Sequence, residues 1–109
     1  MIDWHRDPDI DLGLNHELRY VSWAPDRELN PQYVDLPDIE RYCAIITHLN
    51  HKDELCEGCI TFDSPTAERV EPDRPKWTID SWDPLTVSPS ILCQCGDHGF
   101  IRNGKWVIA

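Results

Sequence analysis

Short stretches of alternating apolar and polar residues recur along the chain, and they predict strands. Residues 42–49 are rich in β-branched and aliphatic side chains, which is typical of a strand. Residues 77–82 alternate in the manner of a half-buried strand. Residues 85–95 are extended in character again, and Pro89 within them predicts an edge strand or a bulge. The pattern therefore indicates a mainly β protein.

The clearest local signal is a hairpin near the end of the sequence. Asn103-Gly104 separates two apolar, β-prone arms, Phe100-Ile101 and Trp106-Val107. Asn-Gly favours a type I′ turn, because both central residues of that turn need positive φ. We expect this hairpin to follow His98 directly and to hold it rigidly.

Prolines interrupt the pattern in two regions. Pro25, Pro31 and Pro37 punctuate the first forty residues, where a short strand at residues 19–24 is the best regular element. Residues 63–76 contain three prolines and no apolar period, which predicts a surface loop. We expect an irregular N-terminal region with brief extended pieces.

At 109 residues the chain predicts a single small domain of antiparallel strands and hairpins. We divide it into an irregular acidic segment, residues 1–41, and a β core, residues 42–109. A core of this size buries a modest share of its apolar surface, so a metal ion would add stability that packing alone does not supply. The fold class predicted is a mainly β domain organised around a zinc site.

The cysteines suggest that site. Cys56-x-x-Cys59 has the spacing of a two-thiolate zinc knuckle, and Cys95-x-x-His98 repeats the spacer with a glycine that permits a tight turn. We predict zinc bound by Cys56, Cys59, Cys95 and His98.

Alternative ligands remain open in the sequence. Cys93 lies two residues before Cys95 and is its rival. His48 and His51 precede the first cysteine pair, and either is a rival of His98.

The net charge of −10 limits the partners. Ten acidic residues against three arginines lie in residues 1–40, so most of the excess is N-terminal. Repulsion from phosphates argues against direct binding of nucleic acid. An acidic surface is suited to solubility or to docking a basic protein partner. No charged-then-apolar leader follows Met1 and the apolar runs are short, so we expect a soluble, cytoplasmic protein without membrane contact.

Familiar catalytic patterns fit poorly. A zinc deaminase needs His-x-Glu before Pro-Cys-x-x-Cys, but Leu55 precedes Cys56 and neither His48 nor His51 supplies the glutamate. Cys56-Glu-Gly-Cys59 lacks the following helix of a thioredoxin-type redox pair. One catalytic alternative survives, a zinc hydrolase with water as fourth ligand and Asp97 or Asp53 as general base.

The segment from residue 77 onward is similar to a known family. It contains Thr86-Val-Ser-Pro-Ser-Ile91 and Cys95-Gly-Asp-His-Gly-Phe-Ile-Arg-Asn-Gly-Lys-Trp106. This wording, together with the upstream Cys-x-x-Cys, resembles a family of small proteins found largely in actinobacterial phages and related mobile elements. The resemblance covers about residues 42–109. It implies a phage-encoded, metal-binding β domain acting in the cytoplasm of the infected host, and it brings no reaction with it.

The sequence thus favours a non-enzymatic function. We predict a zinc-stabilised protein that binds a host or phage protein through its acidic surface, as an inhibitor or modulator. The alternative is the minor zinc-dependent hydrolase. No catalytic residue is predicted.

Overall fold

The computed structural model describes residues 6–109, and strands make up most of its regular structure. The strands are β1 (Ile10–Gly13), β2 (His16–Trp23), β3 (Ile39–Leu49), β4 (Leu55–Phe62), β5 (Lys76–Trp82), β6 (Leu85–Ser88), β7 (Ile91–Leu92), β8 (His98–Arg102) and β9 (Lys105–Ile108). One short helix, α1 (Pro65–Val70), follows β4, and a 3₁₀ turn occupies Pro31–Tyr33. The mainly β fold predicted from the sequence is confirmed.

The strands form two sheets. Strands β1 to β6 make a six-stranded sheet in sequence order, and β7, β8 and β9 make a three-stranded one. Neighbours are antiparallel except β4 and β5, which are parallel because the chain crosses over through α1 between them. Strand β1 packs against β9 and β6 packs against β8, so the small sheet closes the curl of the large one.

The main core lies between these two sheets. Fully buried side chains come from both of them, including Leu12 and Leu18 of the N-terminal hairpin, Ile60 of β4, and Leu85 and Ile101. Burial of each such aliphatic side chain is worth about 1.5–3 kcal/mol. The N-terminal hairpin is therefore part of the same packed domain as the C-terminal strands.

Residues 6–40 are more regular than the sequence predicts, since the prediction is an irregular segment with brief extended pieces. Strand β2 is eight residues long and pairs along most of its length with β3, with a bulge between Val21 and Trp23. Residue 41, where the sequence places the segment boundary, falls within β3. Residues 24–38 carry only turns and the 3₁₀ turn.

Two predictions that depend only on neighbouring residues, a strand and a hairpin turn, are confirmed. The strand predicted at residues 42–49 is the greater part of β3, and the Asn103-Gly104 turn joins β8 to β9 with φ of 52° and 74°. The loop predicted at residues 63–76 is wrong over Pro65–Val70, which is helical. Ser64 caps that helix, since its Oγ accepts the Ala67 N–H at 3.0 Å, and Pro65 supplies a preset φ at the first position.

No helix within residues 6–109 has the length and apolar character needed to cross a lipid bilayer.

Candidate functional site

A serine and a histidine form a hydrogen-bonded pair beside the small sheet. Ser90 Oγ lies 2.9 Å from His98 Nε2. Ser90 immediately precedes β7 and His98 begins β8, and the antiparallel pairing of Leu92 with His98 folds these two positions towards each other. Ser90 is half-buried and His98 is exposed, so the pair lies at the protein surface.

The backbone of Ser90 is held from the large sheet. Trp77 Nε1 of β5 donates a hydrogen bond to the Ser90 carbonyl oxygen at 3.2 Å. Pro89 ends β6 just before it, because proline cannot donate to a strand ladder. Ser90 is thus fixed at a bend between two strands. Hydrogen-bonded serine and histidine side chains are the arrangement in which histidine activates a serine hydroxyl as a nucleophile.

A second group of side chains lies close by and could hold a metal ion. It consists of His48, Cys56, Cys93 and Cys95, whose ligand atoms all lie within 4.8 Å of one another. His48 and Cys56 are paired in register on β3 and β4. Cys93 and Cys95 lie in the turn between β7 and β8, so the cluster joins the two sheets.

The contacts inside this cluster suit a cation. His48 Nε2 lies 3.2 Å from Cys95 Sγ, and Cys56 Sγ lies 3.2 Å from Cys93 Sγ. His48 is buried, and its Nδ1 has no hydrogen-bond partner among the described residues. Three sulfurs and one imidazole form a common tetrahedral donor set. These residues therefore fit a metal ion.

The pKa values of two of these thiols depart from the ordinary value in opposite directions. The backbone N–H of Asp97, with His48 next to it, lowers the pKa of Cys95 to about 7. The hydrogen bond between the Cys56 and Cys93 thiols raises the pKa of Cys56 to about 12. Several thiolates this close repel one another, so the second is costly to form without a compensating positive charge. A bound cation would supply that charge.

The structure separates the four ligands predicted from the sequence. It brings Cys56 and Cys95 together, and it adds the two rivals Cys93 and His48. Cys59 lies on the opposite face of β4, where its thiol forms a hydrogen bond with that of Cys43. His98 contacts Ser90 and is not part of the cluster. The reason is strand periodicity, since residues 56 and 59 of one strand point to opposite faces. His51 is exposed in the turn after β3 and is outside the cluster.

A contact between a histidine and a carboxylate flanks the cluster on its inner side. The buried His16 ring of β2 places Nε2 2.6 Å from Asp97 Oδ2. The same ring stacks between those of His48 and Trp106, at centroid distances of 4.8 Å and 4.2 Å. The sequence gives no reason to place His16 here, because it is remote from residue 97 along the chain. Asp97 is a general base in the hydrolase alternative of the sequence, and its carboxylate contacts His16 and neither Ser90 nor His98.

Residues 38–109 match the model of a family described as the bacterial ubiquitination-like system serine protease (BubE). The chain belongs to this family. No curated protein and no solved structure matches the chain. The part that matches the BubE family contains Ser90, His98 and the whole His48–Cys56–Cys93–Cys95 cluster, whereas β1 and β2 lie before it. Membership of a ubiquitination-like system implies protein partners in general.

The serine and histidine pair was missed in the sequence because His98 was assigned to the metal. A signal did exist. Ser88-Pro-Ser90 interrupts the extended stretch predicted at residues 85–95, and a histidine follows just before the predicted hairpin. Short spacing across a hairpin-like turn brings such residues together, but serine and histidine are too common for this pattern to stand out.

Proposed function

We propose that this chain is a serine hydrolase in which Ser90 is the nucleophile and His98 is the general base. The observation that carries the proposal is the 2.9 Å contact between Ser90 Oγ and His98 Nε2. The family supports it, since its description is that of a serine protease. Exposure of His98 at the protein surface suits a substrate that is itself a folded protein with an extended tail.

The reaction proceeds by acyl transfer. His98 Nε2 takes the hydroxyl proton while Ser90 Oγ attacks the carbonyl carbon of the scissile bond. The protonated imidazole then gives that proton to the leaving amine, and an acyl ester remains on Ser90. Water, deprotonated by His98, hydrolyses the ester and restores the serine hydroxyl. A neutral Nε2 facing the hydroxyl is all that the first step needs from the histidine.

For the substrate we propose a peptide or isopeptide bond at the C-terminal tail of a ubiquitin-like protein. The words "ubiquitination-like system" in the family description support this choice. A tail is an extended chain, and an open Ser90–His98 pair admits an extended chain more readily than a folded surface.

The test is covalent labelling with a fluorophosphonate probe, which reacts with activated serines. We expect one adduct, located at Ser90 by peptide mass spectrometry. Ser90→Ala should abolish labelling, and His98→Gln should slow it by about 100-fold or more, the contribution of a general base. Ser88→Ala, two residues away on β6, is the matched control and should label normally. Unchanged labelling of Ser90→Ala would refute the proposal.

We also propose that the metal held by the Cys/His cluster is zinc, with His48, Cys56, Cys93 and Cys95 as its ligands. Tetrahedral sites of three cysteines and one histidine are characteristic of structural zinc. Four protein donors fill the coordination shell, which supports a structural role and speaks against the water-activating hydrolase predicted from the sequence. When bound, the ion would fix the turn that carries His98.

Elemental analysis of purified protein tests the ligand set. We expect about one zinc ion per chain, as for other structural sites. Cys93→Ser should lower the zinc content sharply, because it removes one of the grouped sulfurs. Cys59→Ser is the control and should retain zinc, since its thiol lies on the other face of β4. The reverse result would support the Cys56, Cys59, Cys95 and His98 set.

The inhibitor of a host or phage protein, predicted from the acidic sequence, stays a prediction, as does the phage origin. Its physical support is the acidic charge of the chain. The serine hydrolase is preferred because it rests on a specific contact between two side chains.

A further inference from the structure

Asp97 holds the turn that ends at His98 through its carbonyl oxygen, its N–H and its carboxylate. Its carbonyl oxygen accepts the Cys93 N–H at 2.7 Å, and its own N–H bonds the Cys95 sulfur. Its carboxylate lies 2.6 Å from His16 Nε2. Since His98 is the next residue, the placement of Asp97 determines where the His98 side chain starts.

His16 is fixed just as firmly from the N-terminal hairpin. Its Nδ1 lies 2.7 Å from the Leu14 carbonyl oxygen, which can only accept, so Nδ1 carries a hydrogen. Leu14 and Asn15 adopt φ of 52° and 62° in the tight turn between β1 and β2. The His16 side chain is 6% exposed. A buried side chain bonded at both ring nitrogens has little freedom to move.

A second route leads from His16 to His98. The His16 ring stacks on Trp106 of β9 at 4.2 Å, with the two planes 12° apart. Trp106 in turn covers Gly99 so closely that a Cβ built there would lie 2.5 Å from Trp106 Cε2. Gly99 is the residue after His98. The backbone on both sides of His98 is therefore tied to His16, through Asp97 before it and through Trp106 after it.

From these contacts we infer that His16 is a positioning residue for the Ser90–His98 pair, acting through Asp97 and Trp106. It does not touch the reacting atoms. The inference rests on the proposed serine hydrolase. It also gives a role in the reaction to the N-terminal hairpin of β1 and β2, which lies outside the residues that match the family. Without His16, the Asp97 carboxylate would lose its 2.6 Å contact and keep only the more distant His48 Nε2, at 3.8 Å, so the backbone before His98 would be held less firmly. A displacement of about 1 Å in a catalytic group lowers a rate by as much as about 100-fold.

The experiment measures the fluorophosphonate reaction of Ser90 as its maximal rate, kinact, and its half-saturating concentration, KI. His16→Phe keeps a flat ring in the stack but removes both hydrogen bonds. We expect kinact to fall at least about tenfold with KI nearly unchanged, because positioning affects the reacting atoms and not the binding of the probe. His51→Phe makes the same change at an exposed turn and should behave as wild type.

Zinc content and near-ultraviolet circular dichroism are recorded on the same samples. A wild-type kinact in His16→Phe would overturn the inference while leaving the proposed function intact. Loss of zinc and of the dichroism signal together with kinact would also overturn it, in favour of a purely structural role. Should His16→Phe fail to fold, Asp97→Asn tests the inference in its place, because it removes the carboxylate that contacts His16 and keeps the shape of the side chain. We expect a folded, zinc-containing protein with kinact lowered about threefold or more, and an unchanged kinact would reject the inference.

A wild-type protein that the probe does not label at Ser90 would reject the proposed function itself. The two failures are therefore distinguishable, since one concerns the parent protein and the other only its variants.

Discussion

Gly99 shows how a single residue without a side chain supports the candidate site. A Cβ at this position would lie 2.5 Å from Trp106 Cε2 and 2.7 Å from the Val107 carbonyl oxygen, and the latter is backbone that cannot rotate away. Overpacking of this kind costs about 1–3 kcal/mol. We therefore expect Gly99→Ala to lower the free energy of unfolding by that amount, measured by urea denaturation, and to slow labelling of Ser90.

The control for this prediction is Gly58→Ala on β4. A Cβ at Gly58 would meet nothing within 4 Å, so the change should stay within about 0.5 kcal/mol of wild type. Equal urea midpoints for the Gly99 and Gly58 variants would contradict the close packing of Trp106 on β8.

Single residues also show where prediction from the sequence stops. Spacing in the sequence pairs Cys56 with Cys59 and Cys95 with His98, and the structure groups only Cys56 and Cys95 of these four. Cys59 could not be separated from them without knowing that residues 55–62 form one strand. Residues 60–62 are β-prone, and a strand that extends from them back to Leu55 places Cys59 on the face opposite Cys56. The Ser90–His98 contact needs the register of β7 on β8, which spacing does not give.

At the scale of elements, local signals predict well and tertiary ones do not. The β8–β9 hairpin follows from Asn103-Gly104, because the turn conformation is set by two adjacent residues. Helix α1 was hidden by the prolines around it, although Ser64-Pro65 is a capped helix start. The length of β2 depends on its partner β3, since isolated residues 16–23 have little reason to stay extended. The pairing of distant segments is decided by packing, so the N-terminal hairpin appeared irregular in the sequence.

At the scale of the whole molecule, the Cys/His cluster adds a link between two sheets that are also joined by apolar packing and by hydrogen bonds such as Gly104 N–H to the Leu85 carbonyl oxygen. His48 and Cys56 belong to the six-stranded sheet, and Cys93 and Cys95 belong to the turn of the three-stranded sheet. A metal there would close a loop between residues 56 and 93 and would bind only the folded state, in which all four ligands meet. Ligands that bind only the folded state stabilise it by mass action. The stability of the domain should therefore depend on zinc.

We expect the free energy of unfolding to rise with free zinc, by about 2.7 kcal/mol when zinc exceeds its dissociation constant about 100-fold. Thermal melts in a chelator and in buffered zinc measure this change. Because Cys93→Ser removes a ligand that links the two sheets, its melting temperature should respond little to zinc. Cys59→Ser should respond as wild type does, since its thiol bonds Cys43 on the far face of the large sheet. Melting curves of the wild-type protein that coincide in chelator and in zinc would show that the packing and hydrogen bonds between the two sheets hold them together without the metal.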